Sequence, residues 1–344
     1  MVATIRDVAR LANVSVSTTS RALNGRDDVS PEVRQRVLEA AGALKYTANL
    51  HARALKGATA RTIGVLVADT SAFSFNAPLL SGIYDAATPR GYAVIVCNAS
   101  ASPTAVRDAH DMFVEKRVDG LLLNSVRDGP GPLLALQAAG IPFVLLNRHI
   151  DEPECDSIAL DYRRDTYLAA RHLLERGHRR ILHQLGSRDH PPSQDRFPGY
   201  RDALHEFDVP FDPGLVLFCD TMAEVHQHVR EAFERTPRPT AVMAYNDENA
   251  LPILLALREL DLRVPEDVAV VGHNNLAIAQ YLDPPLTSVA HAVRDMARQA
   301  TELLFEKIAW PAQQEAWTPR NVSYQPRLVV RQSSGTAALL TRSA

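Results

Sequence analysis

The chain has 344 residues, of which 46% are hydrophobic and 22% are charged, a composition typical of a folded protein with two or three domains. The net charge of −3 excludes a polycation. Residues 1–60 nevertheless carry nine Lys and Arg against five Asp and Glu, a net charge of +4, whereas the remainder carries 28 against 35, a net charge of −7. A basic head on an acidic body favours nucleic-acid contact at one end of the molecule.

Cysteines, apolar runs and short motifs exclude several classes of protein. The three cysteines are far apart and have no metal-binding or redox spacing, so buried thiols in a reducing compartment are expected. Charged residues interrupt the apolar run that a signal peptide needs, and no apolar stretch is long enough for a membrane span, so the expected location is cytoplasmic. We find no nucleophile elbow, phosphate loop or paired metal ligands, and we therefore predict no catalytic residues, metal site or cofactor.

Three short helical patterns lie within the first 44 residues. Thr4, Ser15 and Ser30 precede them as N-caps, and Pro31 stands in the first turn of the third helix. Apolar positions at helical spacing predict one small core that the three helices share. These positions are Val8, Leu11 and Ala12 in the first helix, Val14, Thr19, Ala22 and Leu23 around the second, and Val33, Val37, Ala40, Ala41 and Leu44 in the third.

The second helical pattern leaves Val16, Ser17, Thr18 and Arg21 facing outward near its N-terminal end. Short, polar and basic side chains at that place suit a helix end that enters the major groove of DNA. An ordinary helical hairpin on a protein surface would show the same periodicity.

Residues 46–60 form a linker. Asn49 can cap a short helix in which Leu50, Ala54 and Leu55 are the apolar positions, and a Gly-Ala-Thr-Ala joint follows at 57–60. An isolated helix of this length is unstable in water. The segment is therefore either a plain linker or a hinge that becomes helical only on DNA.

From Arg61 the chain alternates continuous apolar runs with helical patterns, which predicts parallel sheets covered on both faces. The chain has enough such units for two α/β lobes, and lobes of this kind bind ligands at the carboxyl ends of their strands. The predicted strands are 62–68, 92–97, 118–124, 142–146, 180–185, 215–218, 241–245, 268–271 and 327–331. The predicted helices are 78–88, 104–116, 132–139, 163–176, 197–207, 223–235, 248–260 and 294–308. Residues after 332 are expected to be frayed.

Motifs along nearly the whole chain resemble those of one family. The head carries Thr4-Ile5-x-Asp7-Val8-Ala9, Val14-Ser15-Val16-Ser17-Thr18-x-Ser20-Arg21-Ala22-Leu23-Asn24 and Val29-Ser30-Pro31-x-x-Arg34, and the linker carries Ala52-Arg53-x-Leu55. The body carries Gly177-His178-Arg179-Arg180-Ile181, Asn246-Asp247-x-x-Ala250, Val264-Pro265-Glu266-Asp267-Val268-Ala269-Val270-Val271-Gly272 and Pro284-Pro285-Leu286-Thr287-Ser288-Val289. In this order they resemble the lactose/galactose-repressor (LacI/GalR) family of bacterial transcriptional regulators.

The resemblance implies an N-terminal all-α helix-turn-helix head and an α/β two-lobed periplasmic-binding-protein-like core with parallel sheets. The implied domains are a DNA-binding domain at 1–48, a hinge helix and linker at 49–60, a core at 61–332 and a flexible tail at 333–344. Within the core, one lobe is about 61–160 with 291–322, and the other is about 161–290 with 323–332. A homodimer would place two heads on the half-sites of a near-palindromic operator.

The resemblance also implies which residues contact operator DNA. Val16, Ser17 and Arg21 stand where the family reads bases, and Arg21 can pair with the edge of a guanine. Ser15 and Thr18 are expected to bond phosphates, whereas Ser20 either bonds a phosphate or packs between helices. Leu55 matches the leucine that wedges into the minor groove, and Arg53 and Lys56 would flank the phosphates. The remaining implied DNA contacts are Thr4, Asn24 and Asn49.

In this family the cleft between the two lobes binds a small effector that either loosens or tightens DNA binding. Arg196 and Asn246 are the main candidates, because their donors suit vicinal hydroxyl groups. Asp247 either binds ligand or caps the helix predicted from Glu248. His178 and Arg179 are expected to be structural. The further implied ligand-binding residues are Phe75, Asn76, Asn124, Asn147, Arg148, Asp161 and Asn274, and Tyr162 lies at the lobe crossover.

Three departures from the family pattern bear on the ligand and the assembly. The family usually has Gly-Phe/Tyr-Asp-Asp where this chain has Gly272-His273-Asn274-Asn275, so an amide replaces a carboxylate acceptor. A neutral sugar or sugar derivative is the leading ligand, and a sugar acid or another polar metabolite stays open. Ala48 replaces a usual proline, and no leucine repeat that would build a tetramer follows residue 332.

Two other classes compete with a regulator. A solute-binding protein for uptake shares the two-lobed fold but would need a signal peptide and no DNA-binding head. An enzyme would need the catalytic motifs that we do not find. Residues 1–60 therefore favour a ligand-controlled DNA-binding repressor.

Overall fold

The computed structural model describes residues 3–23, 28–46, 60–67, 73–98, 118–124, 130–150, 152, 154–188, 191–310 and 316–335. The chain divides into two compact units, residues 1–60 and residues 61–344. The described part of the first unit is helical, and that of the second contains two six-stranded sheets with helices. None of the described helices is long and apolar enough to cross a membrane.

The first unit contains the helices Ile5–Leu11, Val16–Leu23 and Pro31–Ala43. Ser15 and Ser30 cap the second and third helices as expected, since each hydroxyl accepts a hydrogen bond from a backbone N–H three residues later. The small core between the helices consists of Val8, Ala12, Ala22, Val29, Val37, Ala40 and Ala41, with Val14, Leu23, Val33 and Leu44 packed at its edge. The predicted head core is therefore largely confirmed.

Leu11 does not belong to this core, because its side chain is 55% exposed. The buried face of the first helix is formed by Val8, Ala9 and Ala12 instead. With about 100° between successive residues, Leu11 lies roughly 110° around the helix from the centre of that face.

The first lobe of the second unit is a sheet in which all strand pairs are parallel, with the order β11-β5-β4-β3-β1-β2. Its strands are β1 (Thr62–Val67), β2 (Ala93–Asn98), β3 (Gly120–Asn124), β4 (Phe143–Leu146), β5 (Ser157–Leu160) and β11 (Asn321–Tyr324). The helices Phe73–Ala87 and Val293–Ala309 pack on one face of this sheet, and Pro130–Ala138 packs on the other. Apolar strands buried on both sides account for the continuous apolar runs in the sequence.

The second lobe has the strand order β12-β10-β9-β8-β6-β7, and only the pairing of β12 with β10 is antiparallel among its described strands. Its strands are β6 (Ile181–Leu185), β7 (Val216–Phe218), β8 (Ala241–Met243), β9 (Ala269–Asn274), β10 (Thr287–Ala290) and β12 (Arg327–Val329). Its helices are Tyr162–Glu175, Pro191–Glu206, Met222–Glu234 and Ala250–Glu259. The two predicted α/β lobes are therefore present.

The structure differs from the predicted elements in a few places. Strands β5, β10 and β11 were not predicted, and because β11 pairs with β5, the first lobe extends to Tyr324 rather than to 322. The helices Phe73–Ala87 and Pro191–Glu206 begin earlier than predicted, because each contains an internal proline that resembled a start signal. The predicted helix 104–116 and the predicted hinge helix lie outside the described residues.

The predicted start of the flexible tail at residue 333 is wrong, because the ordered chain continues beyond it. Ser333 and Ser334 lie in a short 3₁₀-helix and are buried. The Oγ of Ser333 donates to the carbonyl of Val270 at 2.6 Å and accepts from the backbone N–H of Thr287 at 2.8 Å. These hydrogen bonds attach the segment to β9 and β10. Residues 336–344 lie outside the described chain.

Asp156 connects three segments of the first lobe. Its carboxylate is fully buried, directly before β5. Lys307 Nζ donates to it at 2.6 Å, Trp317 Nε1 at 2.9 Å, and the backbone N–H of Arg320 at 2.9 Å. The helix Val293–Ala309 and the segment that leads to β11 are therefore both bonded to the same carboxylate.

Replacement of this carboxylate should strongly destabilise the protein. The substitution Asp156→Ala leaves the Lys307 ammonium group without its buried partner, so we expect the free energy of unfolding to fall by about 3–5 kcal/mol. Urea denaturation followed by circular dichroism would measure the loss. The matched control is Asp85→Ala, which removes an exposed ion pair with Arg294 and should leave the urea midpoint almost unchanged. Equal midpoints for the two variants would contradict the connecting role of Asp156.

Candidate functional site

The N-terminal end of the helix Val16–Leu23 is the candidate DNA-reading surface. The Oγ of Ser15 accepts a hydrogen bond from the backbone N–H of Thr18 at 3.0 Å, and the two hydroxyl groups lie 2.8 Å apart. Both hydroxyls that were predicted to bond phosphates thus lie at the positive end of a helix, where the backbone favours anions.

Three side chains of this surface reach solvent. Val16 is 43% exposed, Ser17 is exposed, and the Arg21 side chain is 48% exposed. The Arg21 guanidinium lies 3.1 Å from the carboxylate of Asp28, which is also exposed. Because an exposed ion pair contributes little free energy, Arg21 can exchange Asp28 for a guanine edge at small cost.

The other predicted DNA contacts have different surroundings. Thr4 begins the first helix, and the Asp7 carboxylate accepts hydrogen bonds from its backbone N–H at 2.9 Å and from its hydroxyl at 2.7 Å. Ser20 is half-buried. Asn24, Asn49, Arg53, Leu55 and Lys56 lie outside the described residues.

The strands of the second unit end in polar side chains. Asn124 ends β3, Asn147 follows β4, and Asn274 ends β9. Asn124 and Asn147 are buried, and the Oδ1 of Asn274 is buried without a hydrogen-bond partner among the described residues. We use the term interlobe cleft for the region that Asn124, Asn147, Tyr162, Arg196 and Asn274 define.

Tyr162 connects the two lobes. It begins the first helix of the second lobe, and its hydroxyl donates to the Oδ1 of Asn147 at 2.7 Å. Asn147 has a φ of +61°, a left-handed conformation that asparagine tolerates better than most residues. The Tyr162 ring lies 4.7 Å from the guanidinium of Arg196. A predicted ligand residue of each lobe therefore contacts the same tyrosine.

Arg196 is only 2% exposed. Its guanidinium lies between the rings of Tyr162 and Tyr245, at 4.7 and 4.6 Å from their centroids, and its Nε donates to the Oδ2 of Asp165 at 3.2 Å. Burial lowers the pKa of Arg196, but attraction to Asp165, Tyr245 and Tyr162 together with the hydrogen bond to Asp165 outweighs this effect and raises the pKa. Arg196 is therefore a buried, permanently charged group, and its role as a ligand-binding residue stays a prediction.

Close helix packing brings Arg196 to Asp165. A Cβ at Gly199 would lie 1.9 Å from the carbonyl oxygen of Arg163, so only glycine allows the helices Tyr162–Glu175 and Pro191–Glu206 to approach this closely. Arg196 lies one turn before Gly199, and Asp165 lies in the first turn of the facing helix.

Two histidines complete the surroundings of Asp165. The Nε2 of His273 lies 3.5 Å from Oδ1, and the Nε2 of His291 lies 3.4 Å from Oδ2. Burial alone would raise the pKa of Asp165, but attraction to His273, His291 and Arg196 outweighs it and holds that pKa well below its usual value. Sequence reasoning missed this group, which we call the Asp165 cluster (Asp165, Arg196, His273 and His291).

Several predicted ligand residues also have structural partners. The Oδ1 of Asn246 accepts from the backbone N–H of Asn249 at 2.7 Å, and the Oδ1 of Asp161 accepts from that of Arg164 at 2.8 Å. Asp161 caps the helix Tyr162–Glu175 and also accepts from Gln325 Nε2 at 3.3 Å, whereas Asn246 closes the turn directly before the helix Ala250–Glu259. Phe75 packs against the core of the first lobe, Asn76 is buried, and Arg148 is half-buried.

Asp247 is not the cap that was considered for it. Its fully buried carboxylate accepts from the backbone N–H of Leu276 at 2.6 Å and from the Oγ of Ser288 at 2.6 Å. It therefore connects the turn after β9 to β10. Burial raises the pKa of Asp247 to about 7, which the two hydrogen bonds oppose only in part.

The predictions for His178 and Arg179 agree with the structure. His178 is buried and bonds Thr240 Oγ1 at 3.0 Å, and Arg179 donates to the carbonyl of Leu174, so both are structural. Within the described ranges, no group of three or more His, Cys, Asp or Glu is arranged to hold a metal ion.

Comparison with known proteins agrees with both units. The family model described as "Bacterial regulatory proteins, lacI family" matches residues 4–49, and a "Periplasmic binding protein-like domain" model matches residues 170–334. An HTH-type transcriptional repressor PurR of Vibrio atlanticus (strain LGP32) is 35% identical over 312 residues, which are 89% of this chain and 92% of that protein. The chain belongs to the LacI family. Its relatives are named transcriptional repressors, so it is a DNA-binding regulator rather than an enzyme.

Two solved structures extend this similarity over nearly the whole chain. A transcriptional regulator CelR–cellobiose complex is 31% identical with a TM-score of 0.73, and the match covers 96% of this chain and 99% of that one. The lac repressor dimer bound to operator and the anti-inducer ONPF is 26% identical with a TM-score of 0.86, and the match covers 98% and 100%. The predicted family and fold class are thereby confirmed.

The buried Asp247 should make stability depend on pH. Its pKa is about 7 in the folded protein and about 3.9 in an unfolded chain, so the stability that the protonated form contributes is fully present below pH 4 and is lost as the pH rises through 7. The difference in the free energy of unfolding between Asp247→Asn and the wild type should therefore shift in favour of Asp247→Asn by roughly 4 kcal/mol as the pH rises from 4 to 8. Urea denaturation across that range would measure the difference.

The matched control is Asp267→Asn, because this exposed carboxylate is paired with Arg263, which holds its pKa below the usual value. The control should show no such gain. A stability difference between Asp247→Asn and the wild type that stays constant from pH 4 to pH 8 would contradict the raised pKa.

Proposed function

We propose that this LacI-family regulator binds a near-palindromic operator as a homodimer and that a small polar effector, a sugar or sugar derivative, controls operator affinity from the interlobe cleft of the core, residues 61–332. The observation that carries the proposal is Arg196, whose guanidinium is buried between two tyrosine rings at the junction of the lobes. Such a fixed set of donors suits vicinal hydroxyl groups.

The DNA-binding part of the proposal rests on the head. Val16 and Ser17 are exposed in the first turn of one helix and Arg21 in its last turn, while Thr19 and Ala22 on the opposite face are buried. We assign base contacts to these three side chains and phosphate contacts to Ser15 and Thr18. For the linker, the sequence pattern supports a DNA contact of another kind, in which Leu55 would enter the minor groove.

The effector part rests on unpaired buried polar atoms. Asn274 Oδ1, His291 Nδ1 and Ser193 Oγ are buried and have no hydrogen-bond partner among the described residues. A hydroxyl group can both donate and accept, so a polyhydroxylated ligand can satisfy all three types of atom. Two similar solved structures contain sugars, one cellobiose and one ribose, which supports the same ligand class here.

The homodimer rests on an exposed apolar face of the second lobe. Leu251 and Leu255, four residues apart on one helix, are 42% and 40% exposed, while Ile253 and Leu257 of that helix are buried. Ile278 and Tyr281 of the turn after β9 are also exposed, by 40% and 76%. A second copy of the chain is the partner that we assign to this face, because a two-headed repressor must associate through its core.

Operator binding should depend on salt and on Arg21. Counterion release predicts that the association constant for a palindromic duplex selected from random DNA falls steeply between 50 and 200 mM salt. Arg21→Ala should cost about 1–3 kcal/mol and reduce discrimination at one base pair of each half-site. Fluorescence anisotropy with single-base variants of the duplex measures both effects.

The matched control is Arg36→Ala on the exposed side of the third helix, which removes the same charge away from the predicted surface. It should keep the base preference of the wild type. A flat salt response, or equal loss of discrimination in both arginine variants, would count against this surface.

Association should depend on Leu251. The substitution Leu251→Glu places a charge on the exposed apolar face, and desolvation of that charge should convert a dimer to a monomer. Sedimentation equilibrium measures the molecular mass. The matched control is Leu134→Glu on the helix Pro130–Ala138 of the first lobe, where Leu134 is 51% exposed. A dimer that survives Leu251→Glu but not Leu134→Glu would place the interface elsewhere.

A further inference from the structure

The Asp165 cluster contains a carboxylate that the sequence pattern of the cleft did not reveal. Asp165 is fully buried, its Oδ2 accepts from Arg196 Nε at 3.2 Å, and its Oδ1 has no hydrogen-bond donor among the described residues. His273 Nε2 and His291 Nε2 lie 3.5 and 3.4 Å away. The predicted ligand-binding arginine is thus already paired with a negative charge.

At neutral pH the permanent charges of this cluster cancel. Burial lowers the pKa of His273 to about 4 and also lowers the pKa of the buried neighbour His183, so both rings are neutral. The Arg196 guanidinium and the Asp165 carboxylate carry opposite charges and form a buried ion pair. Outside the cluster, burial raises the pKa of Asp195, and attraction to Arg148 and Arg196 opposes this effect only in part.

This balance of charge changes which ligands the substitution to Asn274 would favour. Taken alone, an amide in place of the usual carboxylate removes a repulsion toward acidic ligands, and a sugar acid stays open as effector. Asp165 supplies a negative charge on another side of Arg196. A carboxylate or phosphate that approached Arg196 would meet a second anion in a site with little water, where like charges are most costly.

We propose that Asp165 determines the specificity of the interlobe cleft: its buried ion pair with Arg196 makes the cleft accept uncharged polyhydroxylated ligands and reject carboxylates and phosphates. This inference rests on the effector role proposed for the cleft. A neutral ligand keeps the ion pair and bonds the atoms that the pair leaves unsatisfied, among them Asp165 Oδ1, His291 Nδ1 and Asn274 Oδ1.

Thermal shift of the full chain at pH 7.5 tests charge selectivity with matched ligands. The pairs are ribose with ribose 5-phosphate, cellobiose with cellobionate, and galactose with galacturonate. For any pair that binds the wild type, we expect the neutral member to bind at least about tenfold more tightly than the acid. In Asp165→Asn that preference should fall below about threefold or reverse. A wild type that binds the acid more tightly, or an unchanged preference in Asp165→Asn, overturns the proposal.

Inorganic phosphate provides a second probe that does not depend on finding the effector. At constant ionic strength, phosphate in place of chloride should raise the melting temperature of Asp165→Asn more than that of the wild type. The matched control is Asp202→Asn, on the same helix as Arg196, where an exposed carboxylate pairs with Arg163 at 2.6 Å. It should respond as the wild type does. Equal phosphate shifts in all three proteins overturn the proposal.

If Asp165→Asn does not fold, Arg196→Gln tests whether the cleft excludes anions. Because the wild-type cleft is proposed to exclude anions, phosphate should change the melting temperatures of the wild type and of Arg196→Gln equally. An increase in the wild type that Arg196→Gln abolishes overturns the proposal.

Operator binding measured by fluorescence anisotropy with each ligand separates charge selectivity from effector control. If an acid changes operator affinity more than its neutral partner, only charge selectivity fails. If no ligand that binds the cleft changes operator affinity, effector control fails.

Discussion

The buried ion pair between Arg196 and Asp165 is the interaction around which the second unit is arranged. A guanidinium that is 2% exposed requires a partner, because an unpaired buried charge costs several kcal/mol. Asp165 can reach it only because Gly199 lets two helices approach closely. Tyr162 and Tyr245 then hold the guanidinium plane, and Tyr162 also bonds Asn147 of the first lobe. The position of Arg196 thus depends on both lobes.

Much of this molecule could be predicted from the sequence, because the head and the two lobes follow simple periodicities. Val8, Ala22 and Val37 recur at helical spacing and form the head core. Continuous apolar runs identified β1, β3, β4, β8 and β9, which neighbouring strands and helices cover on both sides. Strands β10 and β11 lack a continuous apolar run, as in Thr287-Ser288-Val289-Ala290, and the apolar run of β5 is only three residues long. Their pairing depends on a sheet edge that the rest of the fold provides.

The Asp165 cluster could not be predicted for a different reason. Asp165 stands in the first turn of an amphipathic helix, where an acidic residue is common because it favours the positive helix end. Its partners come from a second helix, the end of β9 and the residue after β10. Motif comparison found Arg196 and Asn274 individually, but the charge of the site is a property of residues that are up to 126 positions apart, from Asp165 to His291. The one local signal was His273 in place of an aromatic residue.

The arrangement also constrains how an effector could act on DNA. A ligand shifts a conformational equilibrium only by as much as its affinity differs between the two states, so it must contact groups whose relative position changes. Arg196 belongs to the second lobe and Asn147 to the first, and Tyr162 contacts both. The head is joined by chain connectivity to β1, in the first lobe. A ligand that binds Arg196 alone would not change the orientation of the first lobe. A ligand that also bonds Asn147 or Asn124 makes that orientation depend on whether the ligand is bound. Recognition by both lobes is therefore a physical requirement for control of the proposed operator contact.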